Sequence, residues 1–135
     1  DLRVVVSRLN AAVLPDIAGY VTTTHPNIDR ILFMGLEMRG IARHYHQEIW
    51  SSPREHHMLL ESAIMTCVRE RKRVALYNYP LCTISDSYWS LCKDSITKSK
   101  KHFLPECNYC LVKNYCCGTF FSNRRLAANY ISPIR

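Results

Sequence analysis

Apolar runs of two kinds alternate along the first half of the chain. Leu2-Arg3-Val4-Val5-Val6 is a short β-branched run of the sort buried in a parallel sheet. Leu14, Ile17, Ala18 and Val21 then recur at helical spacing, with Pro15 and Asp16 acceptable in a first turn. A helix of about three turns is predicted there, ending near His25-Pro26. Ile31-Leu32-Phe33-Met34-Gly35-Leu36, bounded by Asp29-Arg30 and Glu37, reads as a second buried strand. Ser52-Pro53-Arg54-Glu55 combines a capping box with proline at the first helical position, a specific helix start. Leu60, Ala63, Ile64, Cys67 and Val68 follow at 3.6-residue spacing, which places Cys67 in a core-facing stripe. The helix should stop in the basic run 69–73, after which Val74-Ala75-Leu76-Tyr77-Asn78 predicts a third strand.

Strand, helix, strand, helix, strand is the order of an α/β fold with parallel strands and right-handed crossovers. Such a sheet is stable when both faces are covered, and two helices cover little more than one, so the sheet is expected to need a neighbour. Functional groups in these architectures collect at the carboxyl ends of the strands. That rule marks Ser7-Arg8, Glu37 and Asn78, with Cys82 just beyond. The stretch 38–51 is the least regular. His44 and His46 there have no strand pattern around them and no carboxylate pair, and read as solvated.

At 135 residues, 47% of them apolar and only four of them glycine, the chain has the length and composition of one globular domain with a core. No stretch approaches the ~18 consecutive apolar residues of a membrane span, so no membrane partner is expected. The formal charge of +7 gathers at 69–73, at 98–101 and at Arg124-Arg125. In a helix end and a polar connector, such side chains complement the helix dipole or solvate a face. No helix-turn-helix, RNA-recognition or zinc-finger pattern accompanies them, and nucleic acid is not the expected partner. The chain opens on Asp1 without a methionine, so an excerpt or a processed chain is expected.

The chemistry concentrates further on. Cys107, Cys110, Cys116 and Cys117 fall together and end on Gly118. Two thiols separated by two residues can point at one ion or cluster, and a glycine lets the backbone approach closely or take positive φ. Cys107, Cys110 and Cys116 need a fourth partner. Cys82, in Tyr79-Pro80-Leu81-Cys82, is the best upstream candidate, because a proline-marked turn after a strand holds a sulfur rigidly. Cys117 competes with these four, while Cys92 reads as an ordinary thiol. Seven cysteines are an odd number for disulfides, no signal peptide is recognisable, and clustered thiols fit a reducing, cytoplasmic setting. Spacing alone leaves zinc and iron–sulfur both open.

Several of these pieces in order resemble a family. They are Asp1-Leu2-Arg3-Val4-Val5-Val6; Phe33-Met34-Gly35-Leu36-Glu37 with Gly40-Ile41-Ala42-Arg43 and Trp50; Leu76-Tyr77-Asn78 with Leu81-Cys82; and Cys107-x2-Cys110-x5-Cys116-x-Gly118 with Phe120-Phe121. Together they resemble the C-terminal half of radical SAM maturases of the His-Xaa-Ser peptide-modification system, over nearly the whole chain. The resemblance implies the last three β/α units of a partial (β/α)6 barrel in residues 1–80, followed by a small cysteine-rich auxiliary module in 81–135. It implies an auxiliary [4Fe–4S] cluster on Cys82, Cys107, Cys110 and Cys116, with a four-thiolate, zinc-stabilised interaction module as the alternative. It also implies that Ser7, Glu37 and Asn78 contribute to an S-adenosylmethionine pocket and that a peptide is the substrate. The family's Cys-x3-Cys-x2-Cys loop is absent from these residues. Catalysis is therefore expected only when an N-terminal half of the barrel or a partner subunit supplies it.

Overall fold

A computed structural model describes residues 1–135. Strand β1 (Leu2–Val5) leads through a one-turn helix α1 (Arg8–Ala11) into α2 (Leu14–Thr24) and then β2 (Arg30–Met34). Two short helical turns, α3 (Ile41–His44) and α4 (His46–Ile49), precede the long helix α5 (Pro53–Arg69) and strand β3 (Arg73–Tyr77). β1 and β3 both pair with β2 in parallel, Val4 beside Phe33 and Phe33 beside Leu76. A fourth parallel strand, β4 (Cys92–Lys93), extends the sheet to the order β1-β2-β3-β4 by pairing Cys92 with Leu76. The protein is thus an α/β fold with a four-stranded parallel sheet.

β4 lies in the stretch read from sequence as a plain connector. Two residues carry no hydrophobic run, and only the backbone of β3 beside them makes them a strand.

Each element forms for a local reason. Pro15 stands at the second position of α2, where a missing N–H costs nothing. Ser52 caps α5 reciprocally: Glu55 N–H donates to Ser52 Oγ at 3.3 Å, and Ser52 N–H donates to Glu55 Oε2 at 2.8 Å. Arg71, at φ 59°, turns the chain out of α5 and into β3. The basic run at this corner is spent locally, Lys72 Nζ donating to Pro26 O at 2.7 Å and Arg73 pairing with Asp29.

Strand alternation divides the apolar side chains between two faces. Val4, Ile31, Phe33 and Leu76 pack with Leu14, Ala18 and Val21 of α2 and with Leu60, Ala63, Ile64 and Cys67 of α5 in one cluster. The opposite face carries Arg3, Val5, Leu32, Met34, Ala75 and Tyr77. Val5 is 47% exposed there, and Met34 and Tyr77 are half-buried, although Leu32 and Ala75 at its centre are buried. α2 and α5 therefore cover one face and leave the rim of the other open to solvent, an unusual state for a parallel sheet.

Beyond β3 the chain runs through short 3-10 turns. Strands β5 (Lys101–His102) and β6 (Thr119–Phe120) form a separate antiparallel pair, and a final turn α6 (Arg124–Ala127) precedes the C-terminal tail. Ile84, Tyr88, Trp89, Leu91 and Cys92 pack against the main core, whereas Ile96, Cys117 and Phe120 form a small cluster of their own. His44 and His46 are exposed, and Cys67 is fully buried on α5. No helix is long and apolar enough to cross a membrane.

The partly open second face and the one-sided core make two checkable statements. The isolated 1–135 chain should bind 8-anilinonaphthalene-1-sulfonate at neutral pH without denaturant, and absence of dye fluorescence beside a sharp two-state melt would contradict it. Leu60→Ala, at a fully buried position between α2, α5 and the sheet, should cost about 2–5 kcal/mol in chemical denaturation.

Candidate metal centre

The exit of β3 sets the first candidate ligand. Asn78 takes φ 64°, and its N–H donates to Lys93 O at 3.2 Å, so the end of β3 is tied to β4. Tyr79 is fully buried, and Pro80 then directs the chain into the turn Leu81–Thr83, which carries Cys82.

The other candidates lie on a run of tight turns. Backbone N–H groups of Cys107, Cys110, Lys113 and Cys116 donate in succession to the carbonyls of Leu104, Cys107, Cys110 and Lys113, at 3.0 to 3.3 Å. Each step of three residues closes one turn, so the spacing of the cysteines is the spacing of the turns. Gly118 ends the run at φ 65°. A Cβ there would stand 2.7 Å from His102 O, so both the conformation and the space require glycine.

Cys82, Cys107, Cys110 and Cys116 all line one hollow, walled by Pro80, Phe103, Leu104, Val112, Ile131 and Pro133. It is narrow, about 20 Å³ at its centre and about 400 Å³ of atom-free space with its mouth included. Lys113 stands at its lining and no carboxylate does. Backbone amides already address two of the sulfurs. Leu81 N–H and Gly118 N–H approach Cys116 Sγ at 3.5 and 3.4 Å, and Ser132 N–H approaches Cys82 Sγ at 3.5 Å. Cys116 is thereby biased to the thiolate: the Cys117 thiol and then these amides outweigh burial and bring its pKa down to about 6. Burial pushes the Cys82 and Cys107 thiols up, and the neighbouring Cys116 raises both further. No group of three or more His, Cys, Asp or Glu side chains is arranged to hold a single metal ion.

Cys117 does not line the hollow. Its thiol, shared between Gly118 O at 3.2 Å and the neighbouring Cys116 sulfur, stays protonated within the buried Ile96–Phe120 cluster. Cys92 is also elsewhere, its thiol near Tyr88 O at 3.8 Å and its pKa pushed up to about 12 by burial. All seven cysteines are free.

Comparison of the chain with family models, curated proteins and solved structures finds no match.

The strand-end residues divide. Glu37 and Asn78 line a common hollow at the carboxyl end of the sheet with Val5, Met34, Ser95 and Lys100. Gly35 makes this possible: its N–H donates to Tyr77 O at 2.9 Å, and a Cβ would stand 2.7 Å from Asn78 O. Asn78 Oδ1 accepts from Ser95 N–H and Oγ at 3.2 and 2.9 Å, leaving Nδ2 free. Glu37 pairs with Lys100 at 3.1 Å and with Arg39 at 3.8 Å. Ser7 lies outside this hollow. It begins α1, where its N–H donates to Asn10 Oδ1 at 2.8 Å.

Three features went unread in the sequence. His102 lines the cysteine hollow as a further potential ligand. The C-terminal tail closes one side of that hollow, pinned by Leu111 N–H to Ile134 O at 3.0 Å and by Arg54 Nε to Tyr130 O at 2.5 Å. His56 sits four residues before Leu60 on the core stripe of α5, a position that marks it as buried. It bridges Ser51 Oγ at 3.0 Å and Tyr79 OH at 3.2 Å beneath the β3 exit.

Burial is the main cause that lowers the His56 pKa to about 4 from an ordinary 6.5. A depressed folded-state pKa means that the unfolded chain takes up the proton first as pH falls. The stability tied to neutral His56 is therefore complete above about pH 6.5 and declines toward pH 4, by ~3 kcal/mol over that window. Urea unfolding at pH 7.5 and at pH 4.5 should show that decline in the parent and a shallower one in His56→Gln; equal declines would remove His56 as its source.

Proposed function

We propose that this chain is the C-terminal part of a radical SAM peptide-modifying maturase, contributing to the S-adenosylmethionine pocket and holding an auxiliary [4Fe–4S] cluster on Cys82, Cys107, Cys110 and Cys116. One observation carries the reading: these four thiols, from two distant stretches of sequence, line a single hollow that contains no carboxylate. Thiolates without oxygen ligands are the donor set of iron–sulfur clusters and of structural zinc. The amides aimed at Cys116 and Cys82 stabilise sulfur that has given up its proton. A [4Fe–4S] cluster spreads four thiolate ligands over several iron atoms, an arrangement that four cysteines lining one hollow suit. A lone zinc, with bonds of about 2.3 Å to each thiolate, draws its ligands to one point. The donor set fits the cluster.

When bound, a [4Fe–4S] cluster supplies one-electron chemistry. The chain's own residues do the rest. Phe103, Leu104, Val112, Ile131 and Pro133 wall the hollow with apolar surface, and Lys113 offsets thiolate charge. Asn78, with its free Nδ2, and Glu37, held by Lys100, supply a hydrogen-bond donor and a carboxylate at the strand ends, chemistry that suits the amino group and adenine edge of a bound S-adenosylmethionine. Ser7 lies outside this hollow and caps α1 instead. The fold finding is a four-stranded parallel sheet; its reading as the last units of a (β/α)6 barrel draws on the sequence resemblance and on the open rim of the second sheet face. In that reading the missing barrel half, or a subunit, covers the face and brings the first cluster, and the chain alone is inactive. Free thiols fit a reducing compartment such as the cytoplasm.

Reconstitution with ferrous iron and sulfide under argon should give brown protein with a broad absorption near about 400 nm. Cys82→Ala, Cys107→Ala, Cys110→Ala and Cys116→Ala should each remove most of it, while Cys92→Ala and Cys117→Ala retain it. Colourless protein carrying one tightly held zinc per chain would overturn the reading in favour of a zinc-stabilised interaction module.

A further inference from the structure

A second hollow lies where the loop after β2 meets the extension, with a free volume of about 480 Å³, within the range of ligand pockets. Arg39, Arg43, Lys100 and Arg124 line it, against the single carboxylate of Glu37. Lys100 and Arg124, from two basic stretches far apart in sequence, thus converge with Arg39 and Arg43 of the loop after β2 on one concave surface.

Its cations differ in how far they are committed. Lys100 pairs with Glu37 at 3.1 Å, and Arg39 approaches the same carboxylate only at 3.8 Å. Arg124 lies over the Phe121 ring at 4.1 Å and donates to Phe121 O at 3.0 Å, which fixes its position while leaving guanidinium N–H groups to spare. Arg43 makes no hydrogen bond or ion pair. The wall itself is rigid, because buried Asn123 clamps the β2 loop to the extension, its Oδ1 accepting from Met38 N–H at 2.8 Å and its Nδ2 donating to Leu36 O at 2.9 Å.

We propose that this hollow binds an acidic segment of a peptide, its carboxylates received by Arg39, Arg43 and Arg124. Planar guanidinium groups receive carboxylates in pairs of parallel hydrogen bonds, and clustered arginines are a recurring means of recognising acidic motifs. The hollow is continuous with the strand-end hollow, since Glu37 and Lys100 line both. An extended ligand anchored by its acidic residues therefore reaches the Asn78 side of that ion pair. Met38 and Phe121 supply apolar floor for the aliphatic parts of such side chains. Naming a peptide as the bearer of the carboxylates rests on the peptide-modifying reading above; the cationic hollow does not.

The test is fluorescence anisotropy of fluorescein-labelled hexaglutamate titrated with the metal-free 1–135 chain at about 0.15 M ionic strength, where the Debye length is about 8 Å. Arg39→Gln/Arg43→Gln should weaken binding by roughly tenfold or more, as loss of charge-assisted hydrogen bonds implies. Arg69→Gln/Arg71→Gln, at the far end of α5, should leave it within about twofold, since exposed charges beyond a Debye length are screened. Glu37→Gln should tighten binding several-fold by freeing Lys100 and Arg39, a gain that misfolding cannot produce. Equal losses in both arginine pairs, or no tightening with Glu37→Gln, would overturn the site. Tighter binding of hexauridylate that is lost with Arg39→Gln/Arg43→Gln would overturn the choice of ligand and assign the hollow to nucleic acid. No iron or S-adenosylmethionine enters the assay, so its failure and the failure of cluster reconstitution remain separate results.

Discussion

The molecule depends on how its chain leaves β3. Within five residues, Asn78 adopts a left-handed conformation, Tyr79 is buried against His56, Pro80 sets the direction, Leu81 N–H faces the sulfur of Cys116, and Cys82 enters the hollow. The sheet core and the cysteine module are joined at this corner, with further ties through Asn123 and Arg54. Tyr79 spans it: its ring belongs to the main apolar cluster and its hydroxyl meets the His56 imidazole on α5. A buried pair of polar groups is stable only while both remain satisfied, so the corner has one low-energy arrangement. That rigidity is what lets a cysteine from the end of a strand line one hollow with three cysteines from a loop more than twenty residues away.

How far the sequence reveals this structure follows from the kind of force behind each part. The three long strands are legible because a buried parallel strand is a continuous apolar run, and α5 because its cap and its 3.6-residue stripe agree. β4 is illegible, since two residues of backbone pairing leave no hydrophobic signature. The grouping of Cys82 with Cys107, Cys110 and Cys116 could be argued from turn chemistry, and all four line one hollow, which Cys117 does not. The roles of the tail and of His102 escape such reasoning, because long-range backbone contacts and β5–β6 pairing bring them there. Ser7 stood with Glu37 and Asn78 as a strand-end residue, and the fold separates it because the chain turns directly into α1.

Two hollows on this surface differ in physics. The cysteine hollow is narrow, apolar and held by local turns, which suits a compact inorganic group that needs dry, fixed sulfur. The arginine-lined hollow is wide, solvated and bounded by long charged side chains, which suits a flexible anionic ligand. The Glu37–Lys100 ion pair stands between the second hollow and the strand ends, so the charge of one residue influences both. The partly open face of the sheet lies on the same side as the strand-end hollow, which Val5 and Met34 help to line. A neighbour that covers that face would also enclose the strand-end hollow.

The central claim is that Cys82, Cys107, Cys110 and Cys116 surround a multi-iron group. Iron and zinc K-edge X-ray absorption on anaerobically prepared protein reads the atoms around the metal directly. The account predicts iron with sulfur neighbours and a distinct iron–iron shell, lost together when Cys82 is replaced by Ala. Zinc bound to four sulfurs with no metal–metal shell, or an iron–iron shell that survives Cys82→Ala, would contradict it.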